Sequence, residues 1–302
     1  MNAILLDAGA PETCHPITCG RPLSACPVAN RPLREHQLGA LSAAGLVLGA
    51  AAGGELAVYQ RGDVWLSDEV LKRLGASKSA AAVRDANGSP LAWKGTSSTP
   101  PASASSLAPD ERCLLIRYPW DLLRLNEWIV GALAADAIDG EVSPAATVEG
   151  RLVLGKGSRL LPGVFIEGNV VIGANCKIGP NCYIRGNTSI GDDCHVGQAV
   201  EVKNSIVMRG ASLGHLSYCG DSVIGEGVNF GAGTITSNFR HDGEQHRSMV
   251  GGKLVDTGRR KFGAVIGDRV HTGIHTSIYP GRKIWPGLTT RPGDIVQRDI
   301  LR

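Results

Sequence analysis

Arg185 and Lys203 are the two residues whose type and spacing first suggest chemistry. They lie eighteen positions apart, and each directly follows an aliphatic residue, Ile184 and Val202. If eighteen residues make one coil of a repeating chain, the two cations stack one coil apart and both point outward. Two cations at that separation can hold a phosphate. Two solvated surface charges would share the same spacing, so spacing alone leaves both readings open. Downstream, His215, Tyr218, Asn229 and Asn238 fall in one stretch, GHLSYCGDSVIGEGVNFGAGTITSN. A lone histidine is more often structural than catalytic, so His215 needs its surroundings to decide its role.

The element that must position these side chains is a repeat of six. Counting from Val142 in sixes gives Val148, Leu154, Leu160, Ile166, Ile172, Ile178, Ile184, Ile190, Val196 and Val202, eleven aliphatic slots without interruption. A helix repeats its apolar face every 3.6 residues and an ordinary strand every two, so a period of six fits neither. It is the pattern of a hexapeptide β-helix, in which three short strands make one coil. Each buried slot contributes roughly 1.5 to 3 kcal/mol before ordering entropy is subtracted. The residue after the slot is often glycine, as at Gly155, Gly173, Gly179, Gly191 and Gly197, which suggests corners that need a permissive backbone. After Val202 the phase slips through Val207, Leu213, Cys219, Ile224, Phe230 and Thr236. Residues 237–263 leave the repeat as a polar, basic insertion, and the period resumes at Ile266, Thr272, Ile278 and Ile284.

Composition bounds the remaining possibilities. A chain of 302 residues has room for two domains, its forty glycines are far above average usage, and 5 % aromatic residues suits a narrow core. A formal charge of +3 is too small to argue for nucleic acid as a partner. Eight cysteines show no CxxC pair and no zinc spacing, so no metal is expected. Cys176, Cys182 and Cys194 each precede a slot by two, where a small packing residue belongs. Unpaired thiols, no stretch long enough to cross a membrane and an opening unlike a signal peptide suggest a cytoplasmic protein.

From the N-terminus, an apolar strand enters a Gly and Pro rich loop, and 36–53 reads as a helix, the start of an α/β unit. The loop resembles the opening of sugar-1-phosphate nucleotidylyltransferases. Its framework stands as Ala8, Gly9, Pro16, Thr18, Pro22, Pro27, Val28, Asn30, Pro32 and Leu33. The chemistry of that family is missing. Pro11 replaces its second loop glycine, Thr13 its phosphate-binding arginine and Leu23 its lysine. A degenerate, shortened domain is therefore expected over 1–112, with 76–110, rich in Ala, Ser and Pro, as a surface excursion or linker. Residues 113–139 carry the string YPWDLL, which resembles the connector of the same two-domain enzymes and reads as helical. Trp120 and Trp128 are expected to pack there.

Over 201–238 the sequence resembles the acetyltransferase domain of the bifunctional enzymes that make UDP-N-acetylglucosamine. The strings DTGRRKFGAVIGD and SIYPGRKI resemble the archaeal-type sugar-1-phosphate nucleotidylyltransferase/acetyltransferases. The resemblance implies a mainly β fold, with a left-handed parallel β-helix over 140–302. It also implies a homotrimer, with the amino sugar phosphate and acetyl-CoA bound between subunits. Carried over by position, His215 is the general base and Asn238 lies near the acetyl group. Arg185 and Lys203 hold the sugar phosphate, Tyr218 and Asn229 contact the sugar, and Ala232 lies on the pantetheine path. Arg247 stands near where the family has lysines, whereas Glu244 would repel a phosphate, which leaves the acceptor open. The function expected is acetyl transfer from acetyl-CoA to an amino sugar 1-phosphate such as glucosamine 1-phosphate. The alternatives are a working nucleotidylyltransferase and a non-catalytic sugar-nucleotide binding or scaffold protein.

Overall fold

The structure, a computed structural model, describes residues 1–49 and 54–301. Its backbone falls into two compact units.

The smaller unit comprises Met1–Pro11, Arg21–Cys26 and Arg31–Arg117. A six-stranded sheet runs in the order Val47–Leu48, Asn2–Leu6, Ala57–Arg61, Pro90–Gly95, Ala81–Arg84, Ser105–Leu107. Asn2–Leu6 is parallel to both of its neighbours. Helices α1 (Leu33–Ala43) and α2 (Asp68–Ala76) bury Leu41, Leu71 and Leu74 in a core shared with Val58 and Val83. Helix α2 starts where Ser67 Oγ accepts from Val70 N at 3.2 Å, and Asp68 and Glu69 complement the helix dipole.

Two expectations change here. The helix read over 36–53 begins earlier and ends at Ala43, because Gly45 turns the chain at φ +79° into the strand Val47–Leu48. Residues 50–53 of that reading lie outside the described residues. The stretch 76–110 is no loose excursion, since it supplies three strands of the sheet. Ala81, Ala82 and Val83 are fully buried, because small side chains let the sheet pack closely, and the Ser and Pro rich pieces are its turns.

The larger unit comprises Glu12–Gly20, Pro27–Asn30 and the chain from Tyr118 onward. It is the parallel β-helix read from the repeat, with three faces of eight, six and eight strands. Ile166 pairs with Ile184 and Ile184 with Val202, so eighteen residues make a coil. Val196 then pairs with Leu213 and Val202 with Cys219, a coil of seventeen that accounts for the phase slip. Ile224 pairs with Ile266 and Thr236 with Ile278, so the insertion sits within one coil. Inside it, Arg247–Val250 and Lys253–Asp256 form an antiparallel hairpin.

Slots from Leu154 to Val202 are at most 2 % exposed and make one continuous core, with Cys176, Cys182 and Cys194 among them. Val142 is 36 % exposed and Val148 only partly buried, because the first coil has no coil beneath it. Among the five slot-following glycines Gly179 sits at φ +98°, the permissive corner expected, whereas Gly155, Gly173, Gly191 and Gly197 are needed for a different reason. Gly155 is not at positive φ; a Cβ there would stand 2.5 Å from the carbonyl carbon of Gly173 on the next coil. Left-handed corners occur instead at positions such as Asn175, Asn181 and Asp193.

One face is covered. Helix α3 (Pro119–Gly131) begins with a proline, and the N–H of Tyr118 donates to Asp121 Oδ2 at 2.9 Å. Its Val130 packs with Val171, while Asn126 accepts from Ser189 Oγ and Ala29 N, both at 2.8 Å, and donates to the Asn187 carbonyl. Val171, Ser189, Ile206, Val223, Val265 and Lys283 are paired in register as one outward column of that face. Trp120 packs as expected, edge-on to Phe262 at 5.6 Å between ring centroids.

Candidate functional site

Arg185 and Lys203 close adjacent strands of an uncovered face, Tyr183–Arg185 and Glu201–Lys203, and are partners in register. The stacking argued from their spacing therefore holds. Tyr218 follows in register with Glu201 on the next coil. Side chains alternate along a strand, so Glu201 shares the outward side of Lys203.

Both cations carry carboxylate partners. Arg185 Nε and Nη2 donate to Glu201 Oε1 at 2.8 Å, and the Arg185 guanidinium lies 5.3 Å from the Tyr183 ring centroid. Lys203 Nζ donates to Asp221 Oδ2 at 2.8 Å. That second pair is deep, since the Asp221 side chain is only 3 % exposed. The same Oδ2 accepts from Asn238 Nδ2 at 2.6 Å, and Asn238 Nδ2 also donates to the Tyr218 hydroxyl at 2.9 Å. Arg185, Lys203, Tyr218 and Asn238 are thus brought into one array by Glu201 and Asp221. Burial, reinforced by Glu201 and Asp221, pushes the Tyr218 phenol up to about 12, so it remains a hydroxyl.

Asp221 also ties the array to α3 and the insertion. Its Oδ1 accepts from Asn204 Nδ2 at 2.9 Å, and the same Nδ2 donates to Glu127 Oε1 at 2.6 Å. Glu127 receives Arg259 as well, with Nη1 to Oε2 at 3.2 Å. Sequence reading overlooked Glu201, Asp221, Asn204, Glu127 and Arg259. Asp221 directly follows Gly220, the register partner of Lys203 on the seventeen-residue coil. Nothing in the local sequence marks Glu127 or Arg259 as partners, for they meet only through packing of helix on coil.

His215 stands apart from that array. It ends the strand Ser212–His215 on the six-stranded face and is exposed, followed by Leu216 at φ +51° and 63 % exposure. Its backbone carbonyl is pinned by Gly233 N at 3.1 Å and Ser217 Oγ at 2.8 Å. No hydrogen bond to its imidazole occurs among the described residues. The contact to Gly233 sets Ala232 beside it on the next coil, where Asn229 is in register with Ser212. Burial lowers the pKa of nearby His195, with Lys177 and His215 adding to the effect. Arg247 is exposed on the hairpin, in register with Asp256, and no hydrogen bond ties it to the array.

The arrangement offers two chemistries. The array retains unused donors, since Lys203 has three and Arg185 five, and these can meet phosphate oxygens beside a neutral phenol. The His215 corner offers an uncommitted imidazole able to accept a proton. Among the described residues no group of three or more His, Cys, Asp or Glu is placed to hold a metal, and no helix is long and apolar enough to cross a membrane.

A family model described as the GMPPB C-terminal domain matches residues 166–286. A bifunctional sugar-1-phosphate nucleotidylyltransferase/acetyltransferase of Sulfurisphaera tokodaii is 39 % identical over 203 residues, covering 64 % of this chain and 51 % of that protein. The bifunctional protein GlmU of Methanocaldococcus jannaschii is 37 % identical over 182 residues, covering 60 % and 44 %. The homologues of the chain are therefore bifunctional enzymes of this kind, as the string at 201–238 suggested. The chain spans about half the length of these curated relatives. A solved UDP-N-acetylglucosamine acyltransferase aligns at TM-score 0.22 and 14 % identity, over 53 % of this chain and 65 % of that one, too distant to transfer any residue.

Proposed function

We propose that the chain is an acyl-CoA dependent N-acyltransferase, with acetyl-CoA as donor and an amino sugar 1-phosphate, glucosamine 1-phosphate first, as acceptor. The observation that carries this reading is the array of Arg185, Lys203, Tyr218 and Asn238 on one face together with an uncommitted His215 on the six-stranded face. Arg185 and Lys203 take the phosphate, and Tyr218 and Asn229 contact the sugar. The amine nitrogen attacks the thioester carbonyl carbon, forming the C–N bond. His215 takes the amine proton, the C–S bond breaks, and the thiolate leaves to be protonated as CoA thiol. Asn238 lies by the acetyl group, and Ala232 leaves room for the pantetheine arm. Arg247 reaches the donor or acceptor from the hairpin.

The halves of this site lie on different faces of one chain, which favours a homotrimer in which a neighbouring subunit closes each site. Sedimentation tests the assembly, and a monodisperse monomer rejects it. Near the N-terminus, Pro11, Thr13 and Leu23 stand where the nucleotidylyltransferase pattern has a donor and two cations, so nucleotidylyl transfer is absent from this reading.

Thiol release from acetyl-CoA is the decisive assay, run with glucosamine 1-phosphate, galactosamine 1-phosphate and their UDP-linked forms. Release is expected with one acceptor and falls about 10² to 10⁴-fold in His215→Ala. Near wild-type turnover in that variant rejects the mechanism. Pyrophosphate release with NTP, Mg²⁺ and sugar 1-phosphate would restore the nucleotidylyltransferase reading.

A further inference from the structure

Lys283 breaks the rule of its own column. The outward residues before it on the covered face, Val171, Ser189, Ile206, Val223 and Val265, are aliphatic or small and buried. Lys283 continues that column at 2 % exposure, yet carries an ammonium. The ammonium lies 5.7 Å from the Trp120 ring centroid, and no oxygen among the described residues accepts a hydrogen bond from it. A ring face compensates a buried cation only in part, so the position is costly as it stands. Burial accordingly lowers the Lys283 pKa.

A cavity of about 350 Å³ opens at this residue. Met249 and Val250 of the hairpin, Trp285 and Leu301 give it apolar walls, and the loop residues Glu12, Thr13 and His15 line another side. Asp299 also lines it and accepts from the backbone N–H of Lys283 at 3.0 Å; burial raises its pKa, while Lys283 and Arg282 pull it down. None of the residues of the acyl-transfer reading contributes to this lining.

We propose that this cavity binds a small organic monocarboxylate, whose carboxylate accepts from Lys283 Nζ while its apolar body lies against Met249, Val250, Trp285 and Leu301. The charges select the class. A neutral ligand leaves the ammonium without an acceptor, and a phosphate dianion meets Glu12 and Asp299 in the same small space. A single negative charge on an apolar body satisfies both the cation and the walls.

The test is thermal unfolding of the full chain with straight-chain carboxylates from propionate to hexanoate, the matching alcohols, and inorganic phosphate. One or more carboxylates should raise Tm with concentration, by roughly 5 °C at about 100 times Kd, while alcohols and phosphate leave it unchanged. Lys283→Met, which keeps the packed stem, should abolish the rise. Val250→Trp, which fills the cavity from the hairpin, should abolish it too and decides the matter if Lys283→Met does not fold. No rise with any carboxylate, an undiminished rise in the variant that folds, or an equal rise with phosphate overturns the proposal. So does a rise lost in Lys203→Met instead, which would place the anion at the array on the other face.

Discussion

Two faces of the β-helix share the same inward pattern and differ in everything outward. On one, α3 lies over Val171, Ser189, Ile206 and Val223, and the outward column is buried and, Ser189 and Lys283 aside, aliphatic. On the other, Tyr183, Arg185, Glu201, Lys203 and Tyr218 stand in neighbouring columns and form ion pairs and hydrogen bonds. The inward slots build the solenoid, whereas what covers an outward residue decides whether it stabilises or binds. Lys283 is instructive because it carries the chemistry of the second face on the first.

The sharpest break of this comparison sets neighbouring residues against each other. Ile184→Asp places a charge between Ile166 and Val202 and should cost upward of about 4 kcal/mol, abolishing the cooperative circular-dichroism melt. Arg185→Ala, one position on, loses a partly exposed pair and should cost about 1 kcal/mol or less. Similar melts for both variants would deny that inward and outward positions do different jobs.

Asp221→Ala leaves Lys203 without its carboxylate and should destabilise by about 3 to 5 kcal/mol in denaturant titrations, with acyl transfer lost. The double variant Lys203→Met/Asp221→Leu should recover most of the stability and none of the turnover. Recovery of both would mean that the pair is structural only.

On the covered face, Ile206→Ala should cost about 2 to 5 kcal/mol, the price of a cavity beneath a helix. A loss below about 1 kcal/mol, the figure expected of open surface, would show that α3 does not seal this column in solution.

The smallest effect is a pH slope. The Tyr218 phenol is held up to about 12 against an ordinary 10. Between those values the unfolded chain releases this proton and the folded chain keeps it, so stability falls as pH rises above 10. Tyr218→Phe should make that alkaline decline shallower in pH-dependent melts. An unchanged slope would mean that the phenol ionises as freely folded as unfolded.

Much of the fold was legible because a solenoid is a local code. Each slot from Leu154 to Val202 is buried by residues eighteen positions away, so the period alone names the core. The slip to seventeen and the inserted stretch were visible for the same reason. Spacing also placed Arg185 over Lys203. The smaller unit was less legible, since Ala81–Arg84 looks like a loop-forming stretch until its neighbours in the sheet bury it.

The sequence by itself determined the period, and with it the coils, the inward core and the stacking of the two cations. Only the tertiary structure decided which outward columns are covered and which remain available for binding. It alone joined Glu127, Asn204 and Arg259 to Asp221, and left Lys283 buried beside a cavity. The physical reason is distance along the chain. Contacts within the coil repeat at a fixed interval that a sequence can display, whereas Glu127 meets Asn204 across 77 positions and Arg259 across 132. No period records an encounter made once, by a helix laid over coils that the repeat has already built.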